Sequence, residues 1–284
     1  MKIFLAGTQG RRWCVDMYIY LSGGKSAKYK FCEDKMEIYL AGQYPWKKEG
    51  LYDKTIKKCN VAILESFYYA DEWTEKTIPL LEHFLLDSGA FTFMSNVKKG
   101  KIDWKDYIDK YIAFINKHDI KYFFELDIDC IVGYDNVLKI RKYIEEKTNK
   151  KCIPVWHKSR GKEEFIKMCK EYDYVAIGGI VSKEITQKDY PLFTWFINTA
   201  HKYGAKIHGL GFTNLEGLTK YHFDSVDSTS WTTGNRFGAV YYFNGKTIKK
   251  VDKKQGQRLA DSKKVAVHNF NEWVKFQKYA EKHL

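Results

Sequence analysis

HFLLDSG (83–89), DWKDYIDKYIAFINKHD (103–119) and YFFELDID (122–129) together decide the fold. The first and third pieces are short apolar and aromatic runs bounded by turn residues, as strands are. The middle piece repeats apolar residues at helical spacing. Strand, helix and strand in that order predict a parallel pair with a helix crossing between them. Both strands also end on carboxylates, Asp87 in one and Asp127 with Asp129 in the other. An unpaired buried charge is expensive, so an acid at the mouth of an apolar strand is either paired or kept for chemistry. For Asp87 alone the structural account is an Asx-turn onto the backbone that Gly89 permits.

The same pattern recurs on either side. KIFLAG (2–7), NVAILES (60–66), CIPVWH (152–157), YVAIGG (174–179), KIHGLG (206–211) and FDSVDS (223–228) bring the strands to eight, with EIYLAGQY (37–44) competing for the first place. Between them lie amphipathic stretches such as YDNVLKIRKYIEEKTNK (134–150), KEEFIKMCKEY (162–172), PLFTWFINTAHKYG (191–204) and NLEGLTKYH (214–222). Near-continuous apolar strands alternating with helices predict an α/β protein, an eight-stranded (β/α) TIM-type barrel over about residues 1–236. From about 237 to 284, AVYYFNGKTIKKV (239–251) reads as a hairpin around Asn244-Gly245 and NFNEWVKFQKYAEKH (269–283) as a closing helix. No linker or repeat divides the chain, so residues 1–284 are expected to form one domain.

A hydrophobic content of 44%, with 17% aromatic, is ample for a core. There is no run of eighteen apolar residues, and MKIFLAGTQGRRW has too short an apolar stretch and too early an arginine pair for a signal peptide, so a soluble cytoplasmic protein is expected. Six cysteines are scattered without metal-ligand spacing, and neither a metal nor another cofactor is expected. The 48 basic residues outweigh the 35 acidic ones, giving a net charge of +13, and Lys246–Lys264 is especially basic. Such a surplus favours a polyanionic partner, with a lysine-rich solvated surface as the alternative.

Polar residues collect at the carboxyl ends of the expected strands: Glu65, Asp87, Asp127 with Asp129, His157, Gly178 with Gly179, His208 with Gly209, and Asp227. In a barrel of this kind the active site forms there. Several carboxylates without metal-ligand spacing suggest covalent or acid–base chemistry at a sugar carbon, one acid attacking and another moving a proton. Strand alternation favours Asp227 over Asp224 for the cleft, since only the end position of FDSVDS is sure to clear the barrel interior.

LLDSGAF (85–91), ELDID (125–129), PVWH (154–157), AIGGIVSKE (176–184), HGLGFTNLEGL (208–218) and FDSVDSTSW (223–231) run in the order of a known family. The chain resembles the tRNA-guanine transglycosylase superfamily, most closely its small phage-type 7-deazaguanine DNA transglycosylases, over most of residues 60 to 236. The resemblance implies that an aspartate displaces guanine from its sugar and that a 7-deazaguanine free base then takes guanine's place. By position it implies Asp227 or Asp224 as nucleophile, Asp227 preferred, and Asp87 as the acid–base group. It further implies Asp127 or Asp129 at the amino edge of the base, with Gly178, Gly179 and Ile180 as the wall beside the carbonyl. Ser88, His208 and Gly209 fall in the same pocket, Phe91, Phe93 or Trp231 could supply a stacking face, and His157 stands where the family usually has glutamine.

The tRNA enzymes carry a cysteine-rich zinc subdomain after the barrel, but this chain has no cysteine beyond Cys169. DNA is therefore expected as substrate ahead of tRNA, in the host cytoplasm if the protein is phage-encoded. Arg236, Lys249, Lys250, Lys253 and Lys254 are the candidate backbone contacts. A tRNA-guanine transglycosylase lacking the zinc subdomain, a carboxylate-pair glycosidase and a non-catalytic nucleic-acid-binding barrel are the competing readings. The charge argues against the glycosidase, and the pair Asp87 and Asp227 argues against a barrel without catalysis.

Overall fold

Eight short runs of apolar sequence lie side by side in one parallel sheet. The computed structural model describes residues 17–19, 27–29, 36–81, 83–96, 102–212, 214–233, 237–252 and 261–284. An antiparallel pair, β1 (Met17–Ile19) and β2 (Ala27–Tyr29), precedes the sheet. The sheet strands are β3 (Glu37–Ala41), β4 (Ile63–Ser66), β5 (Phe84–Asp87), β6 (Tyr122–Phe123), β7 (Val155–Trp156), β8 (Tyr174–Ile177), β9 (Lys206–Gly209) and β10 (Ser225–Ser228). They pair in the order β6-β5-β4-β3-β10-β9-β8-β7. A parallel bridge between Phe124 and Ile153 joins the two ends and closes the barrel. The candidate first strand, residues 2–7, lies outside the described residues. The place between β4 and β10 is filled by β3, the segment that competed with it.

The connections are helical: α1 (Asp53–Cys59), α2 (Glu72–Thr77), α3 (Ala90–Asn96), α4 (Trp104–Lys117), α5 (Asp129–Val132), α6 (Tyr134–Thr148), α7 (Gly161–Glu171), α8 (Phe193–Lys202) and α9 (Leu215–Lys220). In α4 the spacing of Ile108, Tyr111, Ile112 and Ile115 buries one face, Asp103 caps the first turn through the Asp106 amide, and Lys105–Asp109 pairs on the wet side. The hairpin of β11 (Val240–Phe243) and β12 (Ile248–Val251) follows, and α10 (Ser262–His283) packs on β11 and β3. Two buried amides dock α10. Asn269 Oδ1 accepts from the Tyr241 amide at 2.8 Å, and Gln277 Oε1 accepts from the Ala62 amide at 3.1 Å.

Alternation sorts the side chains. Ile63, Leu86, Val175, Ile207 and Val226 pack outward beneath the helices, whereas Tyr39, Leu64, Leu85, Phe124, Val155 and Ala176 fill the barrel interior. Two residues beyond Leu85, Val155 and Ala176, the same inward phase falls on Asp87, His157 and Gly178 at the carboxyl rim. The seam between β6 and β7 is held by a side chain as well. Buried Glu125 accepts from the Val155 amide (2.7 Å), Arg141 Nε (2.7 Å) and Arg160 Nη1 (2.6 Å). Glu125→Gln takes the counter-charge from buried Arg141 and leaves Arg160 with Asp129 alone, and breaking such a pair costs about 3–5 kcal/mol. The denaturant midpoint should fall accordingly with the slope unchanged.

Candidate active site

Asp87 ends β5, and its Oδ2 accepts from the Gly89 amide at 3.0 Å. The Asx-turn is thus present, with Gly89 at φ 85°. A Cβ on Gly89 would lie 2.7 Å from the Tyr107 hydroxyl, which itself donates to the Ser88 carbonyl at 2.7 Å. Ser88 is buried and its Oγ has no partner among the described residues. The Asp87 carboxyl is partly open to the cleft yet densely surrounded by protein. Burial first, and then the charge of Asp127, push it up to about 6, with Asp227 adding in the same direction.

Asp127 and His157 meet across the β6–β7 seam, His157 Nε2 lying 2.7 Å from Asp127 Oδ2. The other ring nitrogen, Nδ1, is 3.3 Å from Glu184 Oε2. A carboxylate only accepts, so making both bonds needs an N–H on each nitrogen and therefore an imidazolium. Burial pulls the His157 pKa down, but the hydrogen bond and charge of Asp127 outweigh it and the net direction is up. Glu184 belongs to the AIGGIVSKE run but had no assigned role; its signal was an acid on a strand-end loop.

Gly178 is what lets His157 sit there. A Cβ on Gly178 would lie 2.7 Å from His157 Cε1 and 2.9 Å from Val155 Cγ1, too close for either to remain. Gly179 has φ 82°, a conformation open to glycine, and a Cβ there would meet Glu184 Oε2 at 2.9 Å. Gly178→Ala should therefore cost about 1–3 kcal/mol of stability by overpacking. It should also shift the His157 ring resonances away from their carboxylate-paired values.

Asp127 and Asp129 have different partners, and the difference comes from Arg160, which the sequence reading did not single out. Asp129 is clamped by Arg160, with Nε to Oδ1 at 3.0 Å and Nη2 to Oδ2 at 2.6 Å, while the guanidinium carbon lies 4.3 Å from the Tyr134 ring centre. That leaves Asp127 as the acid facing His157. The signal for Arg160 was a charged residue three positions past a strand-end histidine.

Asp227 lies on β10, 6% exposed. Its Oδ1 accepts from the Gly211 amide at 2.6 Å and meets His208 Nε2 at 3.2 Å. His208 had been placed in the base pocket by position; it is fully buried beneath Asp227. Asp224 occupies the opposite end of the strand, where Oδ2 accepts from the Ile207 amide at 2.8 Å and meets His201 Nε2 at 2.9 Å. The two candidate nucleophiles are therefore at opposite ends, and Asp227 is the one on the side of Asp87 and Asp127.

Several other candidates fall away from the cleft floor. Glu65, in phase with Ile63, packs outward; burial pushes its carboxyl up to about 8, with Lys47 Nζ at 3.7 Å opposing that. Trp231 is core, its Nε1 donating to the Ala41 carbonyl at 2.8 Å and its ring lying against Tyr44, Tyr52 and Phe270. Phe93 is buried against Tyr68, Trp104 and Tyr107, whereas Phe91 on α3 is 51% exposed. Ile180 is half-buried, and Gly209 backs onto Phe212, whose Cβ would be 3.1 Å from a Gly209 Cβ. Lys249 and Lys250 are exposed on β12, Lys250 pairing with Asp252 at 2.8 Å. Arg236, Lys253 and Lys254 lie outside the described residues. Among the described residues no group of three or more His, Cys, Asp or Glu is placed to hold a metal, and no helix is long and apolar enough to cross a membrane.

No family model and no curated protein matches the chain. Solved structures similar to it include QR15, an aldolase, at 14% identity over 68% of this chain and 89% of that one, with a TM-score of 0.46. The carboxyl transferase domain from Rhizobium etli pyruvate carboxylase with 3-bromopyruvate is similar at 13% identity over 88% of this chain and 48% of that one, with a TM-score of 0.42. The same domain with 3-hydroxypyruvate gives 12% identity over 88% and 49%, with a TM-score of 0.41. This chain thus spans about half the length of the carboxyl transferase chains.

Proposed function

We propose that this protein is an enzyme, a transglycosylase that exchanges guanine in nucleic acid, with DNA as substrate, for a 7-deazaguanine base. The observation that carries the reading is the arrangement of Asp87, Asp127 and Asp227 at one barrel mouth, close enough that Asp127 and Asp227 both raise the Asp87 carboxyl. Asp227 attacks the sugar's C1′, the bond from C1′ to the guanine nitrogen breaks, and the bonding pair leaves with the base. Protonated Asp87 gives that nitrogen its proton. The incoming base returns a proton from its own ring nitrogen to Asp87 and attacks C1′, releasing the Asp227 carboxylate. Asp127 accepts from the amino edge of the base. A target in a duplex has to be flipped out, and the exposed ring of Phe91, four residues along the chain from Asp87, is a candidate stacking face.

The test is to incubate the protein with DNA and candidate 7-deazaguanine bases, digest to nucleosides and seek the exchanged nucleoside by mass. Release of free guanine without incorporation would replace the proposal with a hydrolytic glycosidase. The net charge of +13 supports the polyanionic substrate. Lys249→Gln with Lys250→Gln should lower the slope of log affinity against log salt by roughly 0.9 per lost contact on duplex, or roughly 0.7 on single strands. An unchanged slope would leave the two lysines as guards of the exposed edge of β12.

A further inference from the structure

The interior of a (β/α) barrel is ordinarily packed with branched apolar side chains. Here a line of polar groups runs from Asp227 into that interior. His208 Nε2 lies 3.2 Å from Asp227 Oδ1, His208 Nδ1 lies 2.6 Å from Ser225 Oγ, and Ser225 Oγ is hydrogen-bonded in turn to the Tyr174 hydroxyl. His208 is 0% exposed and Ser225 1%. Tyr39, Phe124 and Tyr174 surround the imidazole with ring centres 6.1, 5.3 and 6.5 Å away. The order Ser–His–Asp is that of a hydrolase triad, yet Ser225 lies beneath His208 and no substrate reaches it. The chain must serve Asp227 instead.

We infer that His208 is a positioning residue: held as its Nε2–H tautomer by Ser225 and Tyr174, it occupies Asp227 Oδ1 and leaves Oδ2 as the oxygen that attacks. The donors settle the tautomer. To bond a carboxylate, Nε2 carries the hydrogen, so in the neutral ring Nδ1 accepts from the Ser225 hydroxyl, and Ser225 accepts from Tyr174. Every donor is then used. In the imidazolium both hydroxyls reverse and the hydrogen of half-buried Tyr174 is left to solvent, so the neutral ring is the state in which each of these donors has a partner inside the barrel. Oδ1 also takes the Gly211 amide at 2.6 Å. Gly211 itself has φ 69°, and a Cβ there would be 2.3 Å from Val181 Cγ2, so that donor depends on glycine. Two donors on one oxygen stop the carboxylate from turning and leave the other oxygen with the less committed lone pairs.

The positioning role rests on the transglycosylase reading; the tautomer does not. Histidine-selective 15N NMR at pH 7, with His208 assigned by the signal lost in His208→Gln, should show a neutral ring protonated at Nε2 and bare at Nδ1. Ser225→Ala should shift Nδ1. A ring protonated at Nδ1, or at both nitrogens, overturns the inference. The second measurement is the single-turnover rate of covalent protein–DNA adduct formation. A 1 Å misplacement can cost roughly 10²-fold, and His208→Phe should slow adduct formation by that order. His208→Gln, whose amide can donate to Asp227 and accept from Ser225, should restore much of the rate. If His208→Phe does not fold, Ser225→Ala should still slow the adduct about 10-fold. Equal rates in wild type and these variants overturn the positioning role. If wild type shows the expected tautomer but never forms an adduct, the transglycosylase reading fails, and the attacking role of Oδ2 fails with it.

Discussion

Asp227→Asn should give a folded protein that binds DNA and exchanges no base. The asparagine carbonyl oxygen can keep both the Gly211 amide at 2.6 Å and His208 Nε2 at 3.2 Å, so stability should change by no more than about 1 kcal/mol. The amide nitrogen that replaces Oδ2 has no lone pair to offer a sugar carbon. Loss of the nucleophile should lower turnover by at least about 10⁴-fold. The covalent species should vanish from intact-mass spectra and denaturing gels. Asp224→Asn is the paired control. Its carbonyl oxygen can likewise keep the Ile207 amide at 2.8 Å and His201 Nε2 at 2.9 Å at the far end of β10, so the fold should hold and exchange should persist. If Asp224→Asn is dead and Asp227→Asn turns over, the nucleophile has been assigned to the wrong end of the strand.

Asp87→Asn should lose most of its activity and, near pH 7, be more stable than wild type. In the unfolded chain the carboxyl ionises at its ordinary 3.8, whereas in the folded protein it does so at about 6. An acid whose folded pKa is raised contributes its full stability below the unfolded value. That contribution is lost as pH rises from about 4 through about 6. The interval corresponds to at most about 3 kcal/mol, less because Asp87 is partly open to the cleft. Asparagine has no charge to bury and its carbonyl can keep the Gly89 amide, so the advantage of Asp87→Asn should appear in denaturation at pH 7 and shrink towards pH 4. Base exchange should fall about 10²–10⁴-fold. Wild-type adduct formation should decline as pH rises above about 6, since the leaving base needs the protonated acid, and the variant should lack that decline. A variant that melts early yet exchanges bases at full rate would return Asp87 to a purely turn-forming role.

The strand ends were legible because a period of two carries a side chain's direction through a short run. Asp87 follows Leu85, His157 follows Val155, Gly178 follows Ala176, and all share one phase. The first strand was not legible: KIFLAG and EIYLAGQY share the same local pattern, and what selects 37–41 is its pairing with β4 and β10, far along the chain. Long-range partners also set Asp127 apart from Asp129, since Arg160 stands 31 positions from the acid it clamps. For Phe93 and Trp231 an aromatic pattern does not distinguish a stacking face from a core, and burial did. His208 sits at a strand end like the others, yet its neighbours Ser225 and Tyr174 turn it into support for Asp227.

The seam between β6 and β7 has a consequence for how the molecule breathes. Each of these strands is two residues long, and the Phe124–Ile153 bridge with its flanking amide bonds is the backbone tie between them, at 2.8 Å from Ile153 N to Phe123 O and 3.0 Å from Glu125 N to Ile153 O. Local openings begin where backbone pairing is thinnest, so the amides of Glu125 and Ile153 should exchange with deuterium sooner than those of β8 and β9. Asp127 stands on one lip of that opening and His157 on the other, 2.7 Å apart when it is shut. Each excursion unmakes that contact, so a molecule held by both side chains would work as a latch, slowing deuterium uptake along the whole seam.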